Sequence, residues 1–172
     1  MAIEPTDFYN NFLNESPFYD DLVQLDKDNF NKWVTENFQE MGTFNSFEEV
    51  APSKELIDDF IFKGYNHIES QCHYSAKAIN LLNSDFEFWT GFVHRQDYLY
   101  RLVTHSFNLY DGNIIDFSRV DRNFNVLNVL DPYFPHIYYG IRIPNNIIEA
   151  HRQETLDEFS MRPLLVELYN NS

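Results

Sequence analysis

Three residues in the middle of the chain have side chains that could together carry out acyl-transfer chemistry. Cys72 is the single cysteine of the 172 residues, and His105 and Asp116 follow it in that order. A histidine activates a thiol by taking its proton, and an acid beside that histidine fixes its tautomer and stabilises the imidazolium. The order of the three residues favours a thiol-dependent enzyme that transfers acyl groups or hydrolyses amides.

The segment around Cys72 adds to this interpretation. Residues 71–82 predict a helix with Ser70 as its cap and Cys72 in its first turn. The free N–H groups and the positive dipole end of a helix lower a thiol pKa from its ordinary value of about 8.5, and they can also donate to an oxyanion. The alternative is a buried and inert cysteine, which is the commonest state of a lone cysteine.

The segments after this helix predict an antiparallel meander. Residues 86–94 and 98–109 have the aromatic and β-branched composition of strands, and Asp111-Gly112 predicts a two-residue hairpin turn into residues 114–117. This turn pairs Tyr110 with Asn113, and the same register extends to the site residues.

In that register Phe107 pairs with Asp116, and His105 falls opposite Ser118. His105 and Asp116 then project from the same face and lie diagonal to each other. The other ring nitrogen of His105 can take the thiol proton if the helix that carries Cys72 packs on this face.

The remaining segments complete an α+β fold. Helical spacing predicts helices over residues 8–25 and 28–41, from Ser53 onward, and over residues 145–159, and residues 136–143 predict a further strand. Residues 42–51 are interpreted as a connection. We expect an antiparallel meander of about four to five strands packed against the helix that bears Cys72 at its N-terminus. Residues 1–62 are expected to form an acidic N-terminal helical region packing on a core of residues 63–172, within one compact domain.

Two stretches of the chain carry a family resemblance: QCHYSAKA at residues 71–78 and THSFNLYDGNIID at residues 104–116. They resemble the papain-like superfamily in its broad sense, which includes transglutaminase-like and arylamine N-acetyltransferase-like enzymes. The resemblance implies a papain-like catalytic core, with Cys72 as nucleophile, His105 as general base and then acid, and Asp116 as orienting group.

The resemblance also bears on the groups that would bind substrate. Papain-like peptidases often place an oxyanion-hole glutamine six residues before the cysteine, where this chain has Asn66, while Gln71 is adjacent to the cysteine. His73 replaces the aromatic residue that typically follows the cysteine in papain, so a divergent relative is expected rather than a standard endopeptidase.

Candidate oxyanion or substrate-binding residues are therefore Asn66, Gln71 and Trp89. Aromatic side chains could line an apolar cleft for a protein or peptide substrate, and they are Trp89, Tyr98, Tyr100, Tyr133, Tyr138 and Tyr139.

The charge of the chain is concentrated in its front third. The net charge is −15, and residues 1–60 hold 14 acids against 3 lysines, which leaves 13 acids against 9 bases in the remainder. This balance argues against binding the nucleic-acid backbone. A solvated helical face explains it, but it also permits a second function: a noncatalytic binding or inhibitory protein, of phage or effector type, that engages a basic partner.

Several other classes lack support in the sequence. Glycine-rich phosphate loops, dinucleotide fingerprints and serine-centred elbows are missing, so no cofactor is expected. His67, Cys72, His73 and His105 are of the types that zinc accepts, but they lack a recognised metal spacing, so no metal is expected. The chain has no apolar run of about 18 residues and no secretory signal at its start. We therefore expect a soluble, cytoplasmic protein that is not bound to a membrane.

Overall fold

The computed structural model describes residues 27–95, 102–127, 134–155 and 164–172. The α-helices in these ranges are α1 (Lys27–Asn37), α2 (Lys54–Phe62), α3 (Cys72–Leu82), α4 (Asn145–Thr155) and α5 (Leu165–Asn170). The strands are β1 (Gln39–Phe44), β2 (Glu87–Arg95), β3 (Leu102–Tyr110), β4 (Asn113–Ile115) and β5 (His136–Ile143), and short 3₁₀ helices span Phe47–Glu49 and Phe117–Arg119.

The strands form one antiparallel sheet in the order β1-β5-β2-β3-β4. The predicted meander corresponds to β2, β3 and β4, which are neighbours both in sequence and in the sheet. β5 pairs with the other side of β2, and β1 adds the outermost strand. The predicted α+β class, with an antiparallel sheet packed against helices, is confirmed.

The hairpin between β3 and β4 has the predicted turn. Asp111 and Gly112 both have positive φ, 51° and 77°, and Tyr110 pairs with Asn113. This conformation suits an Asp-Gly turn, because glycine adopts positive φ without a steric penalty. The register predicted for these residues is therefore confirmed.

β4 is shorter than predicted, and this changes the pairing beyond it. The strand ends at Ile115, and Asp116 instead caps the 3₁₀ helix that follows, where its side chain accepts a hydrogen bond from Ser118 N. The predicted pairings of Phe107 with Asp116 and of His105 with Ser118 across the strands are therefore wrong.

The starts of two predicted helices differ in their capping. Ser53, where the second helix was predicted to start, caps α2, because its Oγ accepts a hydrogen bond from Leu56 N at 3.2 Å. Ser70, the predicted cap of α3, has a positive φ of 64°, and Gln71 occupies the cap position without a side-chain hydrogen bond. The first turn of α3 is therefore not capped by the side chain of Gln71.

The secondary structure near the N-terminus of the described residues differs most from the prediction. α1 ends at Asn37 rather than near Met41, and the chain continues almost directly into β1. The segment predicted as a connection thus contains the end of β1 and a 3₁₀ helix. The region expected to be helical contributes an edge strand that hydrogen-bonds to β5. The helix predicted over residues 8–25 lies outside the described residues.

The apolar core lies on both faces of the sheet, because β2 is buried along almost its whole length. Phe88 and Phe92 face one side, toward α3 and the two flanking helices α1 and α5, and Trp89 and Val93 face the other. Within the described ranges, no helix has the length and apolar character needed to cross a membrane.

Candidate active site

His105 and Asp116 meet in the interior of the protein. His105 lies on β3, Asp116 follows β4, and their relative exposures are 5% and 0%. Nε2 of His105 and Oδ2 of Asp116 are 2.6 Å apart. The predicted register brings these two side chains within reach of each other, and the structure shows that they form a short, buried, charge-assisted hydrogen bond.

The carboxylate of Asp116 is surrounded by donors on both oxygens. Oδ1 accepts from the backbone N of Ser118 at 3.0 Å and from its Oγ at 2.6 Å. Oδ2 also accepts from the Tyr138 hydroxyl at 2.6 Å and lies 3.2 Å from Nε of Arg119. Burial alone would raise the pKa of this carboxyl, but His105 and Arg119 outweigh it and hold the pKa well below its ordinary value.

Arg119 completes this buried network. Its Nε donates to the Tyr138 hydroxyl at 3.0 Å, and its guanidinium lies 4.4 Å from the centre of the Phe47 ring. The backbone N of Asp116 donates to Val50 O at 2.7 Å. The acid is therefore held by its main chain as well as by its side chain.

Cys72 is the first residue of α3, and its side chain is half-buried. The imidazoles of His73 and His105 both interact electrostatically with the thiol. Burial raises the pKa of the thiol, but the two imidazoles lower it by more, so the pKa lies well below its ordinary value.

The pKa of His105 is shifted in the opposite direction. Burial alone would lower it, but the charges of Asp116 and Cys72 outweigh burial and raise the pKa to about 9. Arg119 acts against this rise. A lowered thiol pKa and a raised imidazole pKa favour a thiolate–imidazolium pair across neutral pH.

The contacts of α3 with the sheet differ from the expected ones. Asn108 Nδ2 donates to Ala76 O at 2.8 Å, and Nδ1 of His73 lies 2.6 Å from Ser106 Oγ. Ser106 and Asn108 project from the face of β3 opposite to His105, so α3 makes these contacts on the opposite face, and the condition stated for the sequence prediction is not met there.

β4 pairs only with residues 108–110, so among the described residues the preceding part of β3 has no strand on its outer side. His73 contacts Ser106 on one face of β3. His105, the preceding residue of the strand, projects from the opposite face and interacts electrostatically with Cys72.

Gln71 and Asn66, the two polar residues predicted to bind the oxyanion or the substrate, lie in different places. Gln71 directly precedes Cys72 and is partly exposed. Asn66 is exposed at a separate cleft beside Tyr74 and Arg152, and no described contact joins it to Cys72, His105 or Asp116.

Trp89 and the other aromatic residues expected to line a cleft are placed differently. Trp89 is 7% exposed and packs in the core with Phe107 and Tyr138, and its Nε1 has no hydrogen-bond partner among the described residues. Tyr138 is also buried and Tyr139 is half-buried, while Tyr98, Tyr100 and Tyr133 lie outside the described residues.

The histidines weighed as zinc ligands do not all face the thiol. Both ring nitrogens of His67 are bonded elsewhere: Nδ1 lies 2.8 Å from the Tyr65 hydroxyl and Nε2 lies 3.0 Å from Val120 O. In the described part of the chain, no group of three His, Cys, Asp or Glu side chains could hold a metal ion.

Sequence reasoning missed the roles of Tyr138 and Arg119. Tyr138 reaches Asp116 because β5 pairs with β2, a long-range pairing that no local pattern reveals. Arg119 is placed three residues after Asp116 by the 3₁₀ helix, a spacing that becomes informative only once Asp116 is known to cap that helix.

A thiol, an imidazole and a carboxylate are the groups that nucleophilic acyl transfer uses as nucleophile, proton carrier and orienting acid. The thiol interacts electrostatically with the imidazole of His105, and Nε2–H of that imidazole donates to the buried carboxylate of Asp116. The chain matches no protein-family model, no curated protein and no solved structure.

Proposed function

We propose that the protein is a thiol-dependent enzyme that transfers acyl groups or hydrolyses amides, as a divergent member of the papain-like superfamily. The observation that carries the proposal is the 2.6 Å hydrogen bond between His105 and Asp116, made by an imidazole that also interacts electrostatically with Cys72. Asp116 occupies Nε2, which leaves Nδ1 of His105 for the sulfur. An inert core cysteine needs neither of these contacts.

The first half of the reaction forms a thioester. The Cys72 thiolate attacks the carbonyl carbon of the substrate, and the carbonyl π electrons move to the oxygen. The tetrahedral intermediate then collapses, the bond from carbon to the leaving group breaks, and the leaving group takes the proton from Nδ1 of His105. Asp116 stabilises the imidazolium until that proton is transferred.

The first turn of α3 can stabilise the charge on the oxygen. The side chain of Gln71 makes no capping hydrogen bond, so the backbone N–H groups that open the helix are not occupied by it. These donors and the positive end of the helix dipole suit an oxyanion that forms beside Cys72. Gln71 remains the candidate side-chain donor, because it adjoins the thiol, whereas Asn66 has no described contact with the three residues.

The second half of the reaction releases the acyl group. Water or an amine gives its proton to the neutral His105 and attacks the thioester carbon, and the thiolate leaves. Hydrolysis and transfer therefore differ only in the acceptor. We propose a protein or peptide amide as the substrate class, on the basis of the resemblance to papain-like enzymes.

The proposal is tested by trapping the thioester. The protein is incubated with the activated ester p-nitrophenyl acetate, and the product is analysed by intact-mass and peptide mass spectrometry at mildly acidic pH. We expect one acetyl group on Cys72, formed at a rate that falls about 100-fold or more in His105→Gln.

Two controls make the result specific. Cys72→Ala should lose the acetylated peptide, and Asp111→Asn, which changes an exposed acid in the hairpin turn, should acetylate at the wild-type rate. A thiol that acetylates no faster than a free cysteine, or that is indifferent to His105, contradicts the proposal. That result favours the noncatalytic acidic protein that engages a basic partner.

A further inference from the structure

We propose that His67 is a positioning residue for Cys72, because its ring ties the loop that leads into α3 to the segment that follows Asp116. Nε2 of His67 lies 3.0 Å from Val120 O, and Val120 directly follows the 3₁₀ helix that Asp116 caps. His67 itself lies five residues before Cys72 in the chain. This inference rests on the proposed function, because it concerns how the thiol is held for that reaction.

The start of α3 is not stabilised by a cap of its own. Gln71, in the cap position, makes no side-chain hydrogen bond to the first turn, and Ser70 before it has a positive φ of 64°. A helix whose first N–H groups lack a side-chain acceptor gains little stability from the sequence at that end. The direction in which the chain enters α3 is therefore set by the loop of residues 64–70 and by what that loop contacts.

Two tyrosine hydroxyl groups hold this loop against α3. The hydroxyl of Tyr74 donates to Asn66 O at 2.6 Å. The hydroxyl of Tyr65 lies 3.1 Å from Ser75 Oγ, which is one helical turn after Cys72. Tyr65 and Ser75 are both buried, so water competes little for this bond. The loop and the first two turns of α3 are therefore held together as one unit.

His67 joins this unit to the segment that carries the acid. Its Nδ1 lies 2.8 Å from the Tyr65 hydroxyl, and its ring centre lies 5.4 Å from that of Phe124. Tyr65 also packs edge-on against Phe117, the first residue of the 3₁₀ helix, with ring centres 5.5 Å apart. The imidazole thus bonds to the loop through Nδ1 and to Val120 through Nε2.

The bond to Val120 determines which nitrogen of His67 must carry a hydrogen. A backbone carbonyl can only accept, so Nε2 carries the hydrogen whether the ring is neutral or protonated. Val120 is buried, so water does not easily replace the donor if that hydrogen is lost. The connection therefore needs an N–H donor at the position of Nε2, and a polar side chain of another length does not supply it.

The position of the loop bears on the reaction, because Cys72 is the first residue of α3. On the other side of the connection, Asp116 holds His105 through the 2.6 Å hydrogen bond. Displacing a reacting group by about 1 Å can lower a rate on the order of 100-fold. The described contacts of His67 do not include the thiol, so it acts through the loop and the start of α3.

The test compares His67→Gln with His67→Asn in the full chain. The amide nitrogen of glutamine can take the place of Nε2 and donate to Val120 O, whereas that of asparagine, one methylene shorter, takes the place of Nδ1. We expect acetylation of Cys72 by p-nitrophenyl acetate to fall about 10-fold or more in His67→Asn and less than about 3-fold in His67→Gln. Equal rates in the two variants would overturn the inference.

A second measurement follows the thiol without acyl transfer. The pH dependence of Cys72 alkylation by iodoacetamide reports the ionisation of the thiol in its surroundings. The midpoint should move toward the value of about 8.5 for a free thiol in His67→Asn and stay at the wild-type value in His67→Gln. A wild-type midpoint in folded His67→Asn would overturn the inference.

Val34→Ala controls for a general loss of stability. Val34 is buried in α1 among Phe30 and its neighbours, and it has no part in the site. The variant should unfold at a lower urea concentration and still acetylate and alkylate as the wild type does. If Val34→Ala slows acetylation as much as His67→Asn, the effect of the asparagine is only destabilisation and the inference is overturned.

If His67→Asn does not fold by circular dichroism, the tautomer of His67 in the wild-type chain decides. Long-range ¹H–¹⁵N NMR of the imidazole should show hydrogen on Nε2. A neutral ring with hydrogen on Nδ1 alone would overturn the inference, because such a ring cannot donate to Val120 O.

The inference and the proposed function fail in different experiments. Acetylated Cys72 in the wild type with no response to His67→Asn would support the enzyme and overturn the positioning role. An alkylation midpoint that responds to His67→Asn without any acetylated Cys72 would support the positioning of the thiol and refute the enzyme.

Discussion

Asp116 holds His105 through a 2.6 Å hydrogen bond while also capping the 3₁₀ helix that begins at Phe117. The two carboxylate oxygens divide these roles, because Oδ2 faces His105 and Oδ1 accepts both hydrogen bonds from Ser118. Since the same side chain stabilises the backbone and orients the imidazole, changes to the network should alter both stability and pH dependence.

The rate of thioester formation should first rise and then fall as the pH increases, which gives the profile an acidic and an alkaline limb. It rises as Cys72 ionises, at a pH well below the value of about 8.5 for a free thiol. It falls near pH 9, where His105 loses the proton that the leaving group needs. Stopped-flow acetylation with acetate esters of phenols of different basicity checks this, and an alkaline limb that is absent even for the most basic leaving group would contradict it.

Asp116→Asn should reduce acyl transfer roughly 100-fold, since an amide does not stabilise the imidazolium. The pKa of His105 loses the charge that raises it most, so the alkaline limb moves to lower pH. Rate profiles of wild type and Asp116→Asn measure the shift, with Asp111→Asn as the matched acid-to-amide control. An unchanged alkaline limb would show that Asp116 does not act on His105.

Tyr138→Phe should lower the free energy of unfolding by about 1–2 kcal/mol. The substitution keeps the ring, which packs against Phe44 and Phe107, but removes the hydroxyl that donates to Asp116 and accepts from Arg119. Urea unfolding measures the loss. Tyr110→Phe is the control, because that side chain is 40% exposed, and an equal effect in both variants would rule out a special role for the buried hydroxyl.

Stability should fall with rising pH when Cys72 is replaced. In Cys72→Ala, Asp116 still holds the folded-state pKa of His105 above its unfolded value of about 6.5. The stabilising contribution is therefore fully present below about pH 6.5 and is lost as pH rises through the folded-state pKa.

That folded-state pKa should lie at or below about 9, because Cys72 is one of the groups that raise it. Urea unfolding of Cys72→Ala and of Cys72→Ala/His105→Gln isolates the histidine, since their other ionisable groups are the same. The difference in unfolding free energy should decrease by on the order of 1–3 kcal/mol across this window. A constant difference would mean that His105 has the same proton affinity folded and unfolded.

Gly91→Ala should destabilise the sheet by about 3 kcal/mol. Gly91 pairs with both His105 and Gly140, and an added Cβ would meet Tyr139 O and lie 2.6 Å from Gly140 Cα. These are backbone atoms, so β2 and β5 would have to separate. Gly64→Ala is the control: its Cβ meets nothing within 4 Å, and only its positive φ should cost stability, about 1 kcal/mol. Equal losses in thermal unfolding would contradict the steric explanation.

Residue patterns within a segment correctly predicted helix α3 and strand β5. The helix expected over residues 71–82 is α3, and the strand expected over residues 136–143 is β5 with the same bounds. Both are bounded by residues that change the chain direction, Gln71 at the start of α3 and Pro144 after β5. β1 was missed because a strand at the edge of a sheet depends on its partner, here β5, which lies far away in the sequence.

The proximity of His105 and Asp116 was predictable, because it follows from a single hairpin. The Asp111-Gly112 turn set the register from which the proximity of His105 and Asp116 followed. The end of β4 and the packing of α3 were not predictable in the same way. β4 ends at Ile115, because the capping side chain of Asp116 competes with continued strand pairing. The face of β3 that α3 contacts is set by long-range contacts from His73 and Asn108, which no local pattern reveals.

The hydrogen bond from Asp116 N to Val50 O has a practical consequence for dissecting the chain. A fragment that begins at residue 63 would retain Cys72, His105 and Asp116, yet it would lack Val50, β1 and the Phe47 ring against which Arg119 lies. Asp116 would lose this backbone hydrogen bond, and the guanidinium of Arg119 would lose its contact with the Phe47 ring. A truncated protein with all three residues intact is therefore a poor substitute for the whole chain in activity screens, and a negative result from it would carry little information.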